Sequence, residues 1–370
     1  MDDQRIRAIM SGDARDLSAR LLRVLTLPAS WLFAVLARLR LALFALGIKR
    51  QERVDCPVIC VGNLSTGGTG KTPMVVWLAQ HLIAQGHTPG ILSRGYRAAS
   101  IEEASDQRGN DEARMLAELL PNTLHIENPD RVAGAHSLIE QGCDVVLLDD
   151  GFSHLRLARD LDILLFDALC PFGYGHMLPR GMLREPRKSS KRAGFSVITR
   201  SDQINESALA KLQAQLAKLG QTQIALAQHA PSELLSLSDP SERLDLSELQ
   251  GKRVAQLCAI GNPQGFAATL QASGAEVVSA ALLPDHFSYN DAWLKRDWPS
   301  IAALAQAANA ELIVTTQKDA VKLRGRLAHE VLPAYELRIA MQLDPAGEAA
   351  LKAKVIDTIE AWQRATHKAD

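Results

Sequence analysis

The residues best suited to chemistry form the glycine-rich run GNLSTGGTGKTP at 62–73, between an apolar stretch and a helical pattern. Its centre is Ser65, Thr66, Gly67, Gly68, Thr69, Gly70, Lys71 and Thr72. Glycines let backbone N–H groups turn toward phosphate oxygens, and the N-terminus of the following helix favours anions. Lys71 would reach the β- and γ-phosphates and the Thr72 hydroxyl would bind Mg²⁺. This run predicts a phosphate loop for a nucleoside triphosphate, although Ser65 stands where the usual pattern has glycine.

Two adjacent acids follow a second apolar stretch, CDVVLLDD at 143–150. Such a stretch is typical of a buried parallel strand, and ligands bind at the carboxyl ends of these strands. Asp149 or Asp150 would then hold Mg²⁺ directly or through water. The alternative is that these acids only cap the next helix or face solvent.

Other polar residues lie where strands end or helices begin. They are Ser93, Arg94, Tyr96, Asp111, Glu112, Arg131, His154, Arg200 and His286. From the pattern, Arg94 could oppose phosphate charge and Tyr96 could stack on a base or sugar. On the pattern alone, Asp111 is better read as a helix N-cap than as a catalyst, Arg131 as a surface arginine, and the Asp285–His286 pair as an ordinary surface pair.

Alternating strands and helices must position these side chains, which predicts an α/β fold with a doubly wound sheet. Strands are expected at 57–61, 89–92, 143–150, 254–261 and 311–316, and helices from 74 to 83 and from 206 to 220. A length of 370 residues suggests two α/β domains. We place the transition near residue 200, giving segments 1–50, 51–200 and 201–370.

The segment 20–50 is apolar and basic at once. It holds six of the 41 basic residues and no acid, so the rest of the chain has 35 basic and 42 acidic residues. Its charge-free run, 24–37, has 14 residues, fewer than the ~20 that span a bilayer. Basic flanks and aromatic residues favour a helix in the interface of an anionic membrane, with Pro28 in its first turn. The alternative is a helix packed on the protein's own core.

Composition excludes several classes of protein. The hydrophobic share of 47% and charged share of 22% are those of a globular chain. A net charge of −1 argues against a nucleic-acid binder. Five scattered cysteines are typical of reduced thiols in a cytosolic protein.

Taken together, the motifs resemble the tetraacyldisaccharide 4′-kinase family of lipid A biosynthesis. The resemblance spans most of the chain: GNLSTGGTGKTP, SRGY, the Asp-Glu at 111–112, DDGFSH, LPRGMLREP, TRSD, AIGNP, LPDHFSY and TTQKDAVKL. It implies a P-loop fold in two domains with an N-terminal membrane-associated helix. It also implies a peripheral enzyme on the cytoplasmic face of the bacterial inner membrane. That enzyme would use ATP and Mg²⁺ to phosphorylate the 4′-hydroxyl of a tetraacylated glucosamine disaccharide 1-phosphate, giving lipid IVA.

The resemblance also assigns roles to individual residues. Asp111 matches the family's catalytic base and His286 its partner. Lys71 and Thr72 match the phosphate-loop residues, and Asp149 and Asp150 the paired acids. The family's other site positions fall on Ser93, Arg94, Tyr96, Glu112, Arg131, His154 and Arg200. Ser153, Asn110 and Gln317 depart from the family's usual Gln, Gly and Glu.

Two other functions remain open on the residues alone. A P-loop kinase of a soluble small molecule would not need the apolar, basic N-terminal segment. A membrane-recruited ATPase switch normally carries a lysine at the position of Thr66, so its absence counts against that function.

Overall fold

The fold was analysed in a computed structural model, which describes residues 3–95, 116–239, 241–285, 287–327 and 332–366. The chain forms two compact units. Unit 1 comprises Met1–His229 and Met341–Asp370, and unit 2 comprises Ala230–Ala340.

The strands are β1 Val58–Asn63, β2 Pro89–Ser93, β3 Leu124–Glu127, β4 Val145–Asp149, β5 Leu161–Asp167, β6 Phe195–Thr199, β7 Ile224–Ser236, β8 Arg243–Leu244, β9 Arg253–Cys258, β10 Glu276–Leu282, β11 Leu312–Thr316 and β12 Ala334–Leu343. The helices are α1 Asp3–Ser11, α2 Leu17–Ala45, α3 Lys71–Ala84, α4 Arg131–Glu140, α5 Glu206–Lys218, α6 Pro263–Ala272, α7 Asp291–Arg296, α8 Trp298–Ala307, α9 Gln317–Leu323 and α10 Pro345–Thr366.

Unit 1 is built on a parallel sheet in the order β3-β2-β4-β1-β5-β6-β7. Strand β1 lies in its middle, between β4 and β5, and its residues are all buried. Parallel strands joined by helices put their carboxyl ends at one edge, so the loops after β1, β2 and β4 emerge together.

Helices cover both faces of this sheet, because alternate residues of β1 lie in two different hydrophobic cores. Ile59 and Val61 lie in a core that includes α3 and α10, whereas Val58 and Cys60 lie in a second core that includes α4 and α5. Successive side chains of a strand point to opposite faces. The predicted doubly wound α/β fold is confirmed.

Helix α2 is longer than the sequence suggested. Its N-cap is Asp16, whose carboxylate accepts a hydrogen bond from the Ala19 backbone N–H, so Pro28 lies inside the helix and does not open it. Helix α2 has 29 residues and contains an 18-residue stretch with a mean hydropathy of 1.5, so it is long and apolar enough to cross a membrane by length and composition.

One side of α2 is attached to unit 1. The Ser30 hydroxyl donates to the Met177 backbone oxygen at 2.8 Å, and Arg40 donates to the Ser153 backbone oxygen at 2.8 Å. Ala34 is buried between these two points. The opposite side exposes large apolar side chains, among them Leu25, Trp31, Leu32, Val35 and Leu36.

Unit 2 is a second α/β layer, with parallel strands in the order β10-β9-β11-β12. Strand β8 pairs antiparallel with the end of β7. The core of unit 2 includes Leu257, Ile313 and Trp298.

The division between units differs from the transition predicted near residue 200. Ser196 and Ile198 of β6 pair with the beginning of β7, which keeps the chain in unit 1 as far as His229. At the C-terminus, Leu351 and Val355 of α10 are buried in the core of unit 1. Non-local pairing and packing of this kind leave no mark on local composition.

Candidate active site

The loop between β1 and α3 has the backbone of an anion-binding turn. Gly67 and Gly70 adopt φ values of +115° and +83°, a region that side-chain-bearing residues rarely occupy. Gly70 is the N-cap of α3 and offers no side-chain cap, whereas Asp130 and Asn205 cap α4 and α5. The first N–H groups of α3 therefore need another acceptor, which a phosphate supplies.

Side chains of neighbouring strands hold this loop in place. Asn63 at the end of β1 donates to the Thr69 hydroxyl at 2.9 Å. The Thr199 hydroxyl donates to the Thr69 backbone oxygen at 3.1 Å, and Arg200 donates to the Gly68 backbone oxygen at 2.7 Å. Three residues at the ends of β1 and β6 thus fix the loop.

The segment 176–187 forms one wall of the loop. The Thr66 N–H donates to the Met182 oxygen at 2.8 Å, and the Arg184 N–H donates to the Leu64 oxygen at 2.7 Å. Between them Ser65 pairs with Leu183 in a short antiparallel bridge and is buried. Ser65 has no positive φ, so the position does not need the glycine of the usual pattern.

Lys71, Asp150 and Arg184 form a charge cluster beside the loop. Arg184 donates to both Asp150 carboxylate oxygens, at 3.0 and 2.6 Å, and to the Asn63 side-chain oxygen at 2.5 Å. The Lys71 Nζ atom lies 3.8 Å from Asp150 Oδ1. Burial alone would raise the pKa of Asp150, but Lys71, Arg184 and Arg131 outweigh it and the pKa is lowered. Asp150 is therefore an ionised carboxylate with a strained backbone, at φ +51°.

Asp149 and Thr72 are the other two residues predicted to hold a metal ion, and both are buried. Asp149 is buried at the end of β4 and is in register with Val61 of β1. Thr72, in the first turn of α3, is also buried. In the described parts of the chain, no group of three His, Cys, Asp or Glu residues could hold a metal ion without further ligands.

Arg131 is a buried cation and not a surface arginine. Its side chain is 3% exposed, and one Nη atom donates to the Asn128 backbone oxygen at 2.7 Å. Its Nε atom is buried with no hydrogen-bond partner among the described residues. Burial and Arg94 lower the pKa of Arg131, while Asp150 and Asp149 oppose that shift. A buried cation whose Nε atom has no partner among the described residues favours binding of an anion.

His154 follows the paired acids and belongs to the same electrostatic neighbourhood. Burial lowers the pKa of His154 to about 4, with further contributions from Arg131, Arg159 and Arg40. Its Nδ1 atom is buried without a hydrogen-bond partner in the described regions. The imidazole is therefore neutral at pH 7 and can donate or accept a hydrogen bond.

The remaining predicted residues are placed as follows. Arg200 bridges Gly68 to Asp167, at 2.6 Å from the carboxylate, so it acts on the loop's backbone. Ser93 ends β2, and its hydroxyl lies 2.9 Å from His125 Nε2. Tyr96, Asp111, Glu112 and His286 lie outside the described residues.

Two residues near the loop were missed by the sequence reasoning. Arg184 lies in the motif LPRGMLREP, whose two arginines were the available signal. His229 packs on the loop so closely that a Cβ on Gly70 would lie 2.5 Å from its Nε2 atom. Burial and Arg200 lower the pKa of His229 to about 4, and no local motif marks this residue.

The central strand, the uncapped helix and the adjacent acids define a P-loop nucleoside triphosphatase fold, and the cations around them suit phosphoryl transfer. A profile of the tetraacyldisaccharide-1-P 4′-kinase family matches residues 22–358. The chain belongs to this family.

Individual relatives agree with that assignment. The tetraacyldisaccharide 4′-kinase of Anaeromyxobacter sp. (strain K) is 39% identical, over 87% of this chain and 89% of its own. That of Geobacter sulfurreducens is 38% identical, over 93% and 97%. The crystal structure of LpxK from Aquifex aeolicus in complex with ATP has a TM-score of 0.70 at 28% identity, over 91% of this chain and 99% of its own.

Proposed function

We propose that this kinase transfers the γ-phosphoryl group of ATP to the 4′-hydroxyl of a tetraacylated glucosamine disaccharide 1-phosphate, giving lipid IVA. The observation that carries the proposal is the cationic cluster around the loop. The uncapped N-terminus of α3, Lys71, Arg184 and the buried Arg131 all offer positive charge to one anion.

ATP would lie with its β- and γ-phosphates along residues 65–72. The N–H groups at the start of α3 would donate to them, and Lys71 would move from Asp150 toward the γ-phosphate, a short shift for a long side chain. Arg200, Asn63 and Thr199 would hold the loop as they do now, so binding would need little rearrangement of the backbone.

The chemistry of the donor set fits Mg²⁺, which takes one or two protein carboxylates and completes its shell with phosphates and water. Thr72 and Asp149 would hold the ion, because both oxygens of Asp150 are already bonded to Arg184. When bound, Mg²⁺ would neutralise charge on the phosphates. Asp150 would instead keep Arg184 in position.

The proton acceptor is assigned by the family resemblance. Asp111 would take the proton from the 4′-hydroxyl as its oxygen bonds to the γ-phosphorus and the bond to ADP breaks. His286 would orient Asp111 or adjust its pKa. A general base of this kind typically contributes ~10²- to 10⁴-fold.

The test is transfer of labelled γ-phosphate in mixed micelles, with and without the glycolipid acceptor. We expect ATP turnover that depends on the acceptor, with losses of about 10²-fold or more in Asp111→Asn and His286→Ala. Near-normal transfer by either variant would remove that residue from the mechanism. ATP turnover that ignores the acceptor would favour an ATPase switch, and transfer only to soluble acceptors would favour a soluble-substrate kinase.

The membrane location is also part of the proposal. Helix α2 would lie in the interface of the anionic inner membrane, on its cytoplasmic face, with Trp31 and its neighbours inserted. Attachment through Ser30 and Arg40 supports a helix lying along the protein, because a helix crossing the bilayer would leave that side. The basic residues of 20–50 would face the headgroups.

Removing residues 1–50 should sharply reduce sedimentation with anionic vesicles. The matched control is Leu282→Ser, which removes an exposed apolar side chain from unit 2 and should change sedimentation little. Undiminished sedimentation of the truncated chain would contradict the membrane proposal.

A further inference from the structure

A cavity of about 660 Å³ opens beside α2, bounded by the segment that also forms one wall of the phosphate loop. Arg38, Leu41 and Ala45 line it from α2, at spacings of three and four residues that place them on one side of the helix. The opposite wall comes from the segment 175–192. None of the residues 65–72, nor Asp149, Asp150 or Arg184, lines this cavity.

The lining combines an apolar floor with a basic rim. Leu41, Ala45, Met177 and Leu183 supply apolar surface. Four cations line the same space, namely Arg38, Arg187, Lys188 and Arg192, and no carboxylate does so among the described residues. The volume is in the range of small-molecule sites, roughly 300–1,000 Å³.

Two of the four cations are held in place by aromatic rings. The Arg187 guanidinium lies 4.6 Å from the centre of the Phe172 ring, and Arg192 lies 4.2 Å from that of Phe152. Arg192 also pairs with Glu185 at 3.0 Å. Within the described residues, Arg38, Arg187 and Lys188 form no ion pair, so the rim keeps a net positive charge.

We propose that this cavity binds one anionic glycerophospholipid of the surrounding membrane, with an acyl chain on the apolar floor and the phosphate at the basic rim. Charge complementarity favours an anion, and the apolar floor favours an amphiphile over a free phosphate ion. The cavity also reaches Ala45 at the end of α2, next to the exposed Leu46, where a lipid can enter. The proposal rests on the membrane location of α2 proposed above.

The experiment titrates the full-length chain, in neutral detergent, with dihexanoyl phosphatidylglycerol kept below its micelle concentration. Dihexanoyl phosphatidylcholine and inorganic phosphate are the comparison ligands, and calorimetry gives the affinities. We expect saturable 1:1 binding of the anionic lipid, at least about tenfold tighter than the zwitterionic lipid, with no competition from equimolar phosphate.

Two variants test the site independently. Ala45→Trp fills the cavity from an exposed helix position, with Leu36→Trp, at an exposed position on the opposite side of α2, as its control. Arg187→Gln with Lys188→Gln neutralises the rim, with Lys211→Gln and Lys218→Gln on α5 as the matched control. We expect about tenfold weaker binding in each test variant and less than twofold change in each control.

Equal affinity for the two lipids, displacement by phosphate, or unchanged binding by Ala45→Trp would each overturn the proposal. Kinase activity in mixed micelles and vesicle sedimentation of the wild-type chain are measured in parallel. If these two hold while the lipid preference is absent, only the cavity proposal fails. If kinase activity fails while vesicle sedimentation and the lipid preference hold, only the proposed function fails.

Discussion

The bidentate ion pair between Arg184 and Asp150 allows the sharpest test of the site. Arg184→Ala removes two charge-assisted hydrogen bonds to Asp150 and a third to Asn63. A hydrogen bond to a charged group contributes about 1.5–3 kcal/mol. The side chains are 26% and 38% exposed, so solvent screening reduces the total, and we take roughly 2 kcal/mol for the set. At 1.36 kcal/mol per factor of ten, that predicts about a thirtyfold fall in kcat/KM for ATP.

The same substitution should shift the acid side of the pH profile. The pKa of Asp150 is lowered because Lys71 and Arg184 together outweigh burial. A carboxylate with a lowered pKa contributes above that pKa and loses its contribution as pH falls through it. Without Arg184 the pKa of Asp150 rises, so activity should begin to fall at a higher pH than in the wild type.

Phosphate transfer in mixed micelles, measured from pH 4 to 8, gives both the change in kcat/KM and the shift of the acid side of the pH profile. Arg184→Lys keeps the charge but loses the bidentate geometry, so it should lie between the alanine variant and the wild type. Arg243→Ala is the control, because its ion pair with Glu233 is on an exposed side chain and should be worth little. A kcat/KM within twofold of wild type, with an unmoved acid limb, would refute the role given to the cluster.

Two further predictions concern the loop and the buried histidines. Gly70→Ala should raise KM for ATP at least about tenfold, because the added Cβ would collide with His229 and because the backbone there has a positive φ. Gly68→Ala is the control, since a Cβ at that position meets nothing within 4 Å. NMR titration should show His154 and His229 neutral well below pH 6, with pKa values near 4. Unfolding restores the ordinary histidine pKa of about 6.5, so the free energy of unfolding should fall as pH drops from about 6.5 toward 4. Histidine pKa values near 6.5 in the folded protein would contradict this prediction.

Much of the nucleotide site was predictable because its signals are local. The strand before the loop, the glycines and the helix after it lie within some 25 consecutive residues, and the run ending in Asp149 and Asp150 reads as a buried strand by itself. The structure placed α3 from Lys71, a turn earlier than the apolar pattern indicated. Helix starts depend on backbone geometry, here that of Gly70, and not on apolar spacing.

The parts that were not predicted depend on contacts between distant residues. Arg184 reaches Asp150 from 34 positions away, and His229 reaches Gly70 from the far end of the sheet. The packing of α10 in the core of unit 1 likewise depends on contacts with residues far away in the chain. Pro28 misled for a different reason, since a capped helix start at Asp16 and the length of α2 outweigh the loss of one backbone donor.

The hydrogen bonds that attach α2 determine which substitutions keep this attachment. Both acceptors, at Met177 and Ser153, are backbone oxygens. Any residue supplies that atom, so the bond from Arg40 does not depend on which side chain stands at position 153. Substitutions at the two acceptor positions therefore keep the acceptor atoms, whereas the side chain of Met177 also lies in the core that buries Ala34. The two hydrogen bonds themselves depend on the side chains that the helix supplies, Ser30 and Arg40.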